Sequence, residues 1–434
     1  MKRAVYKQLI SWKMRPDRKP LVMYGARQVG KTYTLTQFGE TEFDDMVYVN
    51  CYKNAEMRQL FDGDADVNRL LTGLSAYAGK KIVPGRTLVF LDEIQEIPPV
   101  ISSLKYFCEN MRELHVVVAG SLLGVMNMSG ESFPVGKVNV MRMMPMSFEE
   151  FLVAEGEEML VDIMKSRDWQ MTDVFSSKLT DYLRHYYYVG GMPEAVAHFI
   201  AHRDFQTVRS IQKDILVAYE ADIAKHTGRE TQRVRMVWQS VPAQLARENK
   251  KFIYGAVKKG ARAKDYELAI QWLVDAGLVY KVERTRDAKM PLKFYADSNA
   301  FKLYLLDVGL LGAMADTSAA GVIIGNGIFT EYKGAFTENY VLQQLKALPG
   351  LPIYYYSKDN SQQEVDFIIQ LPDRILPVEV KAEDNVKSKS LAAFVCHDFQ
   401  SYGLRAVRFS MKPYQDQGWM ENVPLYSIPG FFAE

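Results

Sequence analysis

One stretch constrains this chain more than any other: Leu21-Val22-Met23-Tyr24-Gly25-Ala26-Arg27-Gln28-Val29-Gly30-Lys31-Thr32, an apolar run closing in a glycine loop. It satisfies G-x-x-x-x-G-K-[ST] at Gly25, Gly30, Lys31 and Thr32. Backbone N–H groups can turn inward around a polyphosphate only where side chains do not obstruct them, and glycine also accepts a positive φ. Gly25 and Gly30 supply that freedom. Ala26, Arg27, Gln28 and Val29 form the loop between them, and Tyr33 follows on the next helix. On this reading the Lys31 ammonium sits on the β and γ phosphates. The Thr32 hydroxyl ligates Mg²⁺, and the helix presents its first amides to the charge. The bland alternative is a chance loop behind a strand.

A second stretch answers the first. Thr87-Leu88-Val89-Phe90-Leu91-Asp92-Glu93 is an apolar strand ending in two carboxylates, the arrangement in which a P-loop ATPase holds metal and orients water. Asp92 is expected to hold Mg²⁺ through its hydration shell and Glu93 to polarise the attacking water. The alternative is a pair of solvated acids at a strand end. Val116 to Ser121 reads as another buried strand, and strands alternating with helices imply a parallel sheet with ligands at its carboxyl end. Ser121 falls at such an end, either as a γ-phosphate sensor or as an ordinary strand-end serine.

Length and charge bound the rest. At 434 residues the chain exceeds one ordinary core, and 53 basic residues against 52 acidic give it no overall attraction to nucleic acid. No apolar run approaches the roughly 18 residues of a membrane span. Met1-Lys2-Arg3 leads into no signal-like apolar core, so a cytoplasmic protein is expected. Cys51, Cys108 and Cys396 lack ligand spacing and read as core thiols.

Further along, Ser147 and Glu150 fit a capping box at a helix start, and helical patterning continues to about residue 226, broken at Val189-Gly190-Gly191-Met192-Pro193. Helices over 234–248 and 263–276, then strands over 278–282 and 292–296, suggest a winged helix. Lys250, Lys251, Lys258, Lys259, Arg262 and Lys264 give residues 250–264 a basic character, with Glu248 the nearby acid. DNA contact and a merely solvated face are both open there. In the last portion Glu338 lies on a helix, Asp366 in a strand, and Glu379 and Lys381 two residues apart on one face of the next strand. Asp366 and Glu379 are candidate metal ligands. With Glu338 and Lys381 they form a candidate set for phosphodiester cleavage, and a salt-bridged core without metal is the alternative.

Taken in order, the loop 25–32, the strand 88–93, residues 145–151, the turn 190–196, the segment 301–310 and the hairpin 364–381 resemble one family over nearly the whole chain. These are the prokaryotic AAA-type ATP-binding proteins, extended AAA or STAND-like P-loop ATPases, whose C-terminal domain of unknown function belongs to the PD-(D/E)XK nuclease clan. The resemblance implies an α/β protein: a P-loop ATPase core over 1–150, a helical lid over 151–228, a winged helix over 229–298, and a restriction-endonuclease-like α/β domain over 299–434. It implies ATP and Mg²⁺ as cofactors and ATP or ADP as ligand, while the residues themselves make Lys31, Glu93, Glu338, Asp366, Glu379 and Lys381 the candidate catalytic groups. DNA and further copies of the chain are the partners considered. Gly191-Met192-Pro193 is similar to a glycine-x-proline turn that meets the nucleotide base in related ATPases. Lys137 and Arg142 are the candidates for a trans-acting cation. The competing function is a nucleotide-gated switch or scaffold whose nuclease-like domain is inactive and binds protein or DNA.

Overall fold

Leu21–Gly25 is strand β1, buried at every residue except the half-buried Tyr24. Around it the computed structural model describes residues 1–63, 66–121, 133–247, 250–319, 321, 333–359, 363–382 and 387–432. The chain divides into two units, one of residues 2–144 with 275–277, the other of 145–274 and 278–434 with residue 1.

In the first unit, helix α1 (Val5–Met14) precedes β1, and α2 (Lys31–Glu42), β2 (Asp45–Asn50), α3 (Ala55–Asp62) and α4 (Val67–Ala78) follow it. Next come β3 (Thr87–Asp92), α5 (Pro99–Asn110), β4 (His115–Ser121) and β5 (Asn139–Arg142). The strands pair in the order β2-β3-β4-β1-β5, every pair parallel. A parallel sheet needs cover on both faces, and the side-chain alternation provides for it. Val22, Val47, Val89 and Val118 turn toward Met57 of α3, Leu70 of α4 and Leu104 of α5. Met46 and Leu88 turn the other way, where Gly39 of α2 lies against them; a Cβ there would come 2.2 Å from the Met46 sulfur. The β1–α2 loop and the ends of β3 and β4 therefore emerge at one edge of the sheet.

The second unit begins with helices Phe148–Ala154, Glu158–Ser166, Trp169–Val174, Ser176–Val189, Pro193–His202 and Phe205–His226. The first carries the full capping box. Ser147 Oγ accepts from the Glu150 N–H at 3.2 Å, and Glu150 Oε2 accepts from the Ser147 N–H at 2.9 Å. Helices Thr231–Leu245, Tyr254–Val257 and Ala263–Asp275 come next. The expected helix end at Glu248 lies outside the described residues.

An eight-stranded mixed sheet completes this unit. Its strands are β6 (Val279–Thr285), β7 (Ala296–Leu305), β8 (Ile353–Ser357), β9 (Glu364–Gln370), β10 (Ile375–Val380), β11 (Ala406–Ser410), β12 (Gln415–Asp416) and β13 (Met420–Pro424). They pair as β12-β13-β11-β10-β9-β8-β6-β7. Three expectations meet a different arrangement here. The hairpin expected as a wing is not confined to residues 229–298, because β6 pairs in parallel with β8 and joins the C-terminal sheet. The boundary at 298/299 also falls inside β7. Residues Leu292–Tyr295, expected as strand, form a 3-10 turn instead. Pro291 has no N–H to give a ladder, the Leu292 N–H is taken by Gln370 Oε1 at 2.8 Å, and Phe294 is 83% exposed.

Candidate functional site

The loop after β1 is built from two departures of the backbone. Gln28 has φ 63° and Gly30 φ 92°, which turns successive peptide groups toward the loop interior. Gly25 is required by its neighbours: a Cβ there would lie 2.3 Å from the Met143 carbonyl oxygen, whose residue follows β5 and donates its N–H to Tyr24 O at 2.8 Å. Gly30 caps α2, and no side chain satisfies the first amides of that helix. They form a ready anion site with the helix dipole behind them. Lys31 Nζ lies across the loop, donating to Gly25 O at 3.0 Å and Ala26 O at 2.8 Å. Loss of solvent around this ammonium brings its pKa down to about 8, against the attraction of Glu93 and Asp92. Val29 and Ala26 are buried, whereas Thr32 and Tyr33 are exposed.

The β3 carboxylates meet this loop. Thr32 Oγ1 donates to Asp92 Oδ2 at 2.7 Å, and Tyr48 OH donates to the same oxygen at 3.4 Å. Asp92 Oδ1 accepts from the Glu93 N–H at 3.0 Å. Burial raises the Asp92 pKa while the Thr32 hydrogen bond opposes it. Glu93 has φ 53°, a left-handed conformation that disfavours a side chain, and Gln95 Nε2 donates to its carboxylate. Ser121 ends β4 opposite Gly25 in register, on the strand between β1 and β3.

Three contributors had escaped the sequence reading. Arg3, 8% exposed, donates from Nη1 to Val29 O at 2.8 Å and from Nη2 to Met144 O at 2.6 Å, and so holds the loop from behind. Tyr48 and Gln95 are the others. Their only signal in the sequence is position, Tyr48 inside a strand and Gln95 two residues past Glu93. Of the two trans-cation candidates, Lys137 pairs with Glu109 at 2.8 Å and Arg142 ends β5. Pro193 belongs to the second unit, where it starts its helix. The turn before it serves that unit's core. The Gly191 N–H donates to Asp307 Oδ2 at 2.6 Å, and a Cβ on Gly191 would meet Met146 O at 2.1 Å.

The C-terminal set is also brought together, in company the sequence had not suggested. Glu338, on helix Lys333–Ala347, has both oxygens engaged. Lys250 Nζ lies 2.5 Å from Oε1, while Tyr304 OH donates to Oε2 at 3.1 Å with Lys302 Nζ 3.9 Å away. Lys302 is fully buried and also pairs with Glu364. Asp366 Oδ2 accepts from the Val380 N–H at 2.7 Å, and Lys381 Nζ lies 2.6 Å from Glu379 Oε1. Burial disfavours the charge on Lys302, yet Glu364 and Glu338 hold its pKa above the ordinary lysine value. Burial and then the neighbouring Glu338 push the Asp366 pKa up. Lys250, expected on a phosphate-contacting face, is thus half of a buried ion pair, 15% exposed. The donor set does not fit a divalent metal: ammonium groups occupy Glu338 on both sides, and no group of three or more His, Cys, Asp or Glu among the described residues could hold one. The readable signal was Lys302, a charge in the midst of the apolar strand Phe301-Lys302-Leu303-Tyr304.

A parallel sheet with a glycine loop cradled at β1, and with Asp92 hydrogen-bonded to its threonine, defines a P-loop nucleotide-binding domain. Residues 17–152 match the family described as AAA domain, in keeping with that P-loop geometry. Residues 180–321 match a domain of unknown function (DUF8612), and residues 333–428 match another (DUF4143). No curated protein matches the chain. Among solved structures it is similar to the Walker-type ATPase PABY2304 of Pyrococcus abyssi, at 13% identity over 72% of this chain and 95% of that one, TM-score 0.44. It is also similar to the Orc1 protein of Aeropyrum pernix in complex with DNA, at 14% identity over 73% and 93%, TM-score 0.27. A third is Cdc6p of Pyrobaculum aerophilum, at 12% identity over 74% and 93%, TM-score 0.26. Among the described residues no helix is long and apolar enough to cross a membrane.

Proposed function

We propose that this protein binds ATP with Mg²⁺ at the β1–α2 loop, hydrolyses it, and uses the nucleotide state to govern how its C-terminal half engages DNA. The observation that carries the reading is the 2.7 Å hydrogen bond from Thr32 to Asp92, which brings together the two residues that would hold magnesium. Thr32 and Asp92 would hold the ion, which would offset the charge of the bound phosphates. Lys31 neutralises the same phosphates. Glu93 orients and deprotonates the attacking water, and Ser121 reads the γ-phosphate from the end of β4.

Lys31→Ala is expected to weaken MgATP binding about ten- to a hundredfold, the worth of a charge-assisted contact of roughly 1.5–3 kcal/mol. Isothermal titration with MgATP measures it. Equal affinity in the two proteins would remove the loop from the reading.

The DNA part rests on helices Thr231–Leu245, Tyr254–Val257 and Ala263–Asp275 followed by β6 and β7, which is the order of a winged helix. Lys258, Lys259, Arg262 and Lys264 are exposed on it, which suits phosphate contact. Fluorescence anisotropy with a labelled duplex, in ATP and in ADP, is expected to give two different affinities that both fall with salt. Absence of binding in both states would take DNA out of the proposal. The lysine-filled carboxylate cluster favours a C-terminal domain that binds without cutting.

A further inference from the structure

In a site made for divalent metal, carboxylates from a helix and two strands leave oxygens facing a common vacant point. Here the same three elements bring Glu338, Asp366 and Glu379 together, but the space among them is occupied by side chains of the chain itself. Lys250 arrives from the segment before helix Tyr254–Val257, and Lys302 from the middle of β7. Lys381 closes on Glu379, and Arg408, the register partner of Glu379 on β11, adds a fourth cation. Four carboxylates, with Glu364 included, face four cations.

We infer that the ammonium groups of Lys250 and Lys302 serve as the built-in counter-cations of this cluster, in the place where a nuclease of this architecture would hold divalent metal. The cluster is a clasp that fastens the 250–254 segment and β7 to the helix carrying Glu338. Two features support a structural clasp over a reactive site. Both Glu338 oxygens are already bonded, and one Asp366 oxygen is committed to the Val380 backbone. Lys302 is 0% exposed and Lys250 has 15% exposure, so neither ammonium exchanges readily with solvent ions. Glu379 Oε2 remains buried without a hydrogen-bond partner, a single oxygen where a metal needs several. The inference is independent of the nucleotide reading, and its failure would leave that reading standing.

The test uses the full chain without nucleotide and Mn²⁺ as probe. Electron paramagnetic resonance counts bound Mn²⁺ in the wild type and in Asp366→Asn/Glu379→Gln. Equal uptake is expected; one Mn²⁺ bound by the wild type and lost in the double variant overturns the inference. A second arm removes a counter-cation. Lys250→Met is expected to lower the thermal midpoint by about 6–10 °C by leaving Glu338 buried and under-compensated. Adding Glu338→Gln to Lys250→Met is expected to recover most of that loss. An unchanged midpoint in Lys250→Met, or no recovery in the double variant, shows that this ammonium does not balance Glu338 and overturns the inference as well. Should Lys250→Met not fold, the Mn²⁺ count on the other pair still decides.

Discussion

Replacing Glu93 by glutamine is expected to lower ATP turnover by about 10²- to 10⁴-fold while nucleotide binding stays within about twofold, the range for loss of a positioned general base. The amide matches the carboxylate in size and keeps the same backbone, so the left-handed φ of 53° at this position is undisturbed. What it loses is the ability to take a proton from water. Tyr48 and Thr32 hold Asp92, not Glu93, so the hydrogen bonds around Asp92 are unaffected. Steady-state phosphate release and equilibrium ATP binding, measured on the same preparation, separate the two effects. Turnover at the wild-type level would show that another group activates water. Glu93→Gly makes a useful companion, because it relieves roughly 1–3 kcal/mol of backbone strain and still abolishes turnover. Stability and activity should move in opposite directions, as they do where strain is held for function.

The second large effect is structural. Asp307→Ala is expected to destabilise the second unit by about 3–5 kcal/mol, because the carboxylate is fully buried and serves three donors. The Gly191 N–H lies 2.6 Å from Oδ2, Gln343 Nε2 lies 2.9 Å from the same oxygen, and the Leu310 N–H lies 3.0 Å from Oδ1. Alanine would strand all three in a place water does not reach. Burial raises the Asp307 pKa, while the hydrogen bonds from Gly191 and Leu310 restrain the rise. Asp307→Asn is not a mild change either, since its NH₂ group would face donors. Urea unfolding followed by far-ultraviolet circular dichroism reads the loss; a midpoint unchanged in Asp307→Ala would show that Gly191 and Gln343 find other acceptors.

What could be read in advance was what lies close along the chain. The glycine loop, the two acids at the end of β3 and the Ser147–Glu150 box are each contained within a few residues, so local chemistry specifies them. Pairings between distant segments were beyond reach. Nothing in the stretch around Arg3 announces that it will hold Val29 and Met144. Lys250 stood in a basic run that looked like a solvated or phosphate-facing patch, and its partner lies 88 residues away. Leu292, Phe294 and Ala296 alternate as a strand should, yet the chain only enters the ladder at Ala296, because hydrogen-bond partners rather than pattern decide where pairing starts. Lys250 and Lys302, which meet Glu338, come from elements whose proximity no spacing rule encodes.

The parallel seam between β6 and β8 has a practical corollary for anyone dividing this protein. Cutting at the apparent linker near residue 298 would split β7, strip the sheet of its outermost pair and leave β8 as a naked margin of unpaired amides. A fragment so trimmed would invite self-association, whereas one carrying residues 250–434 would retain both the margin's native cover and Lys250.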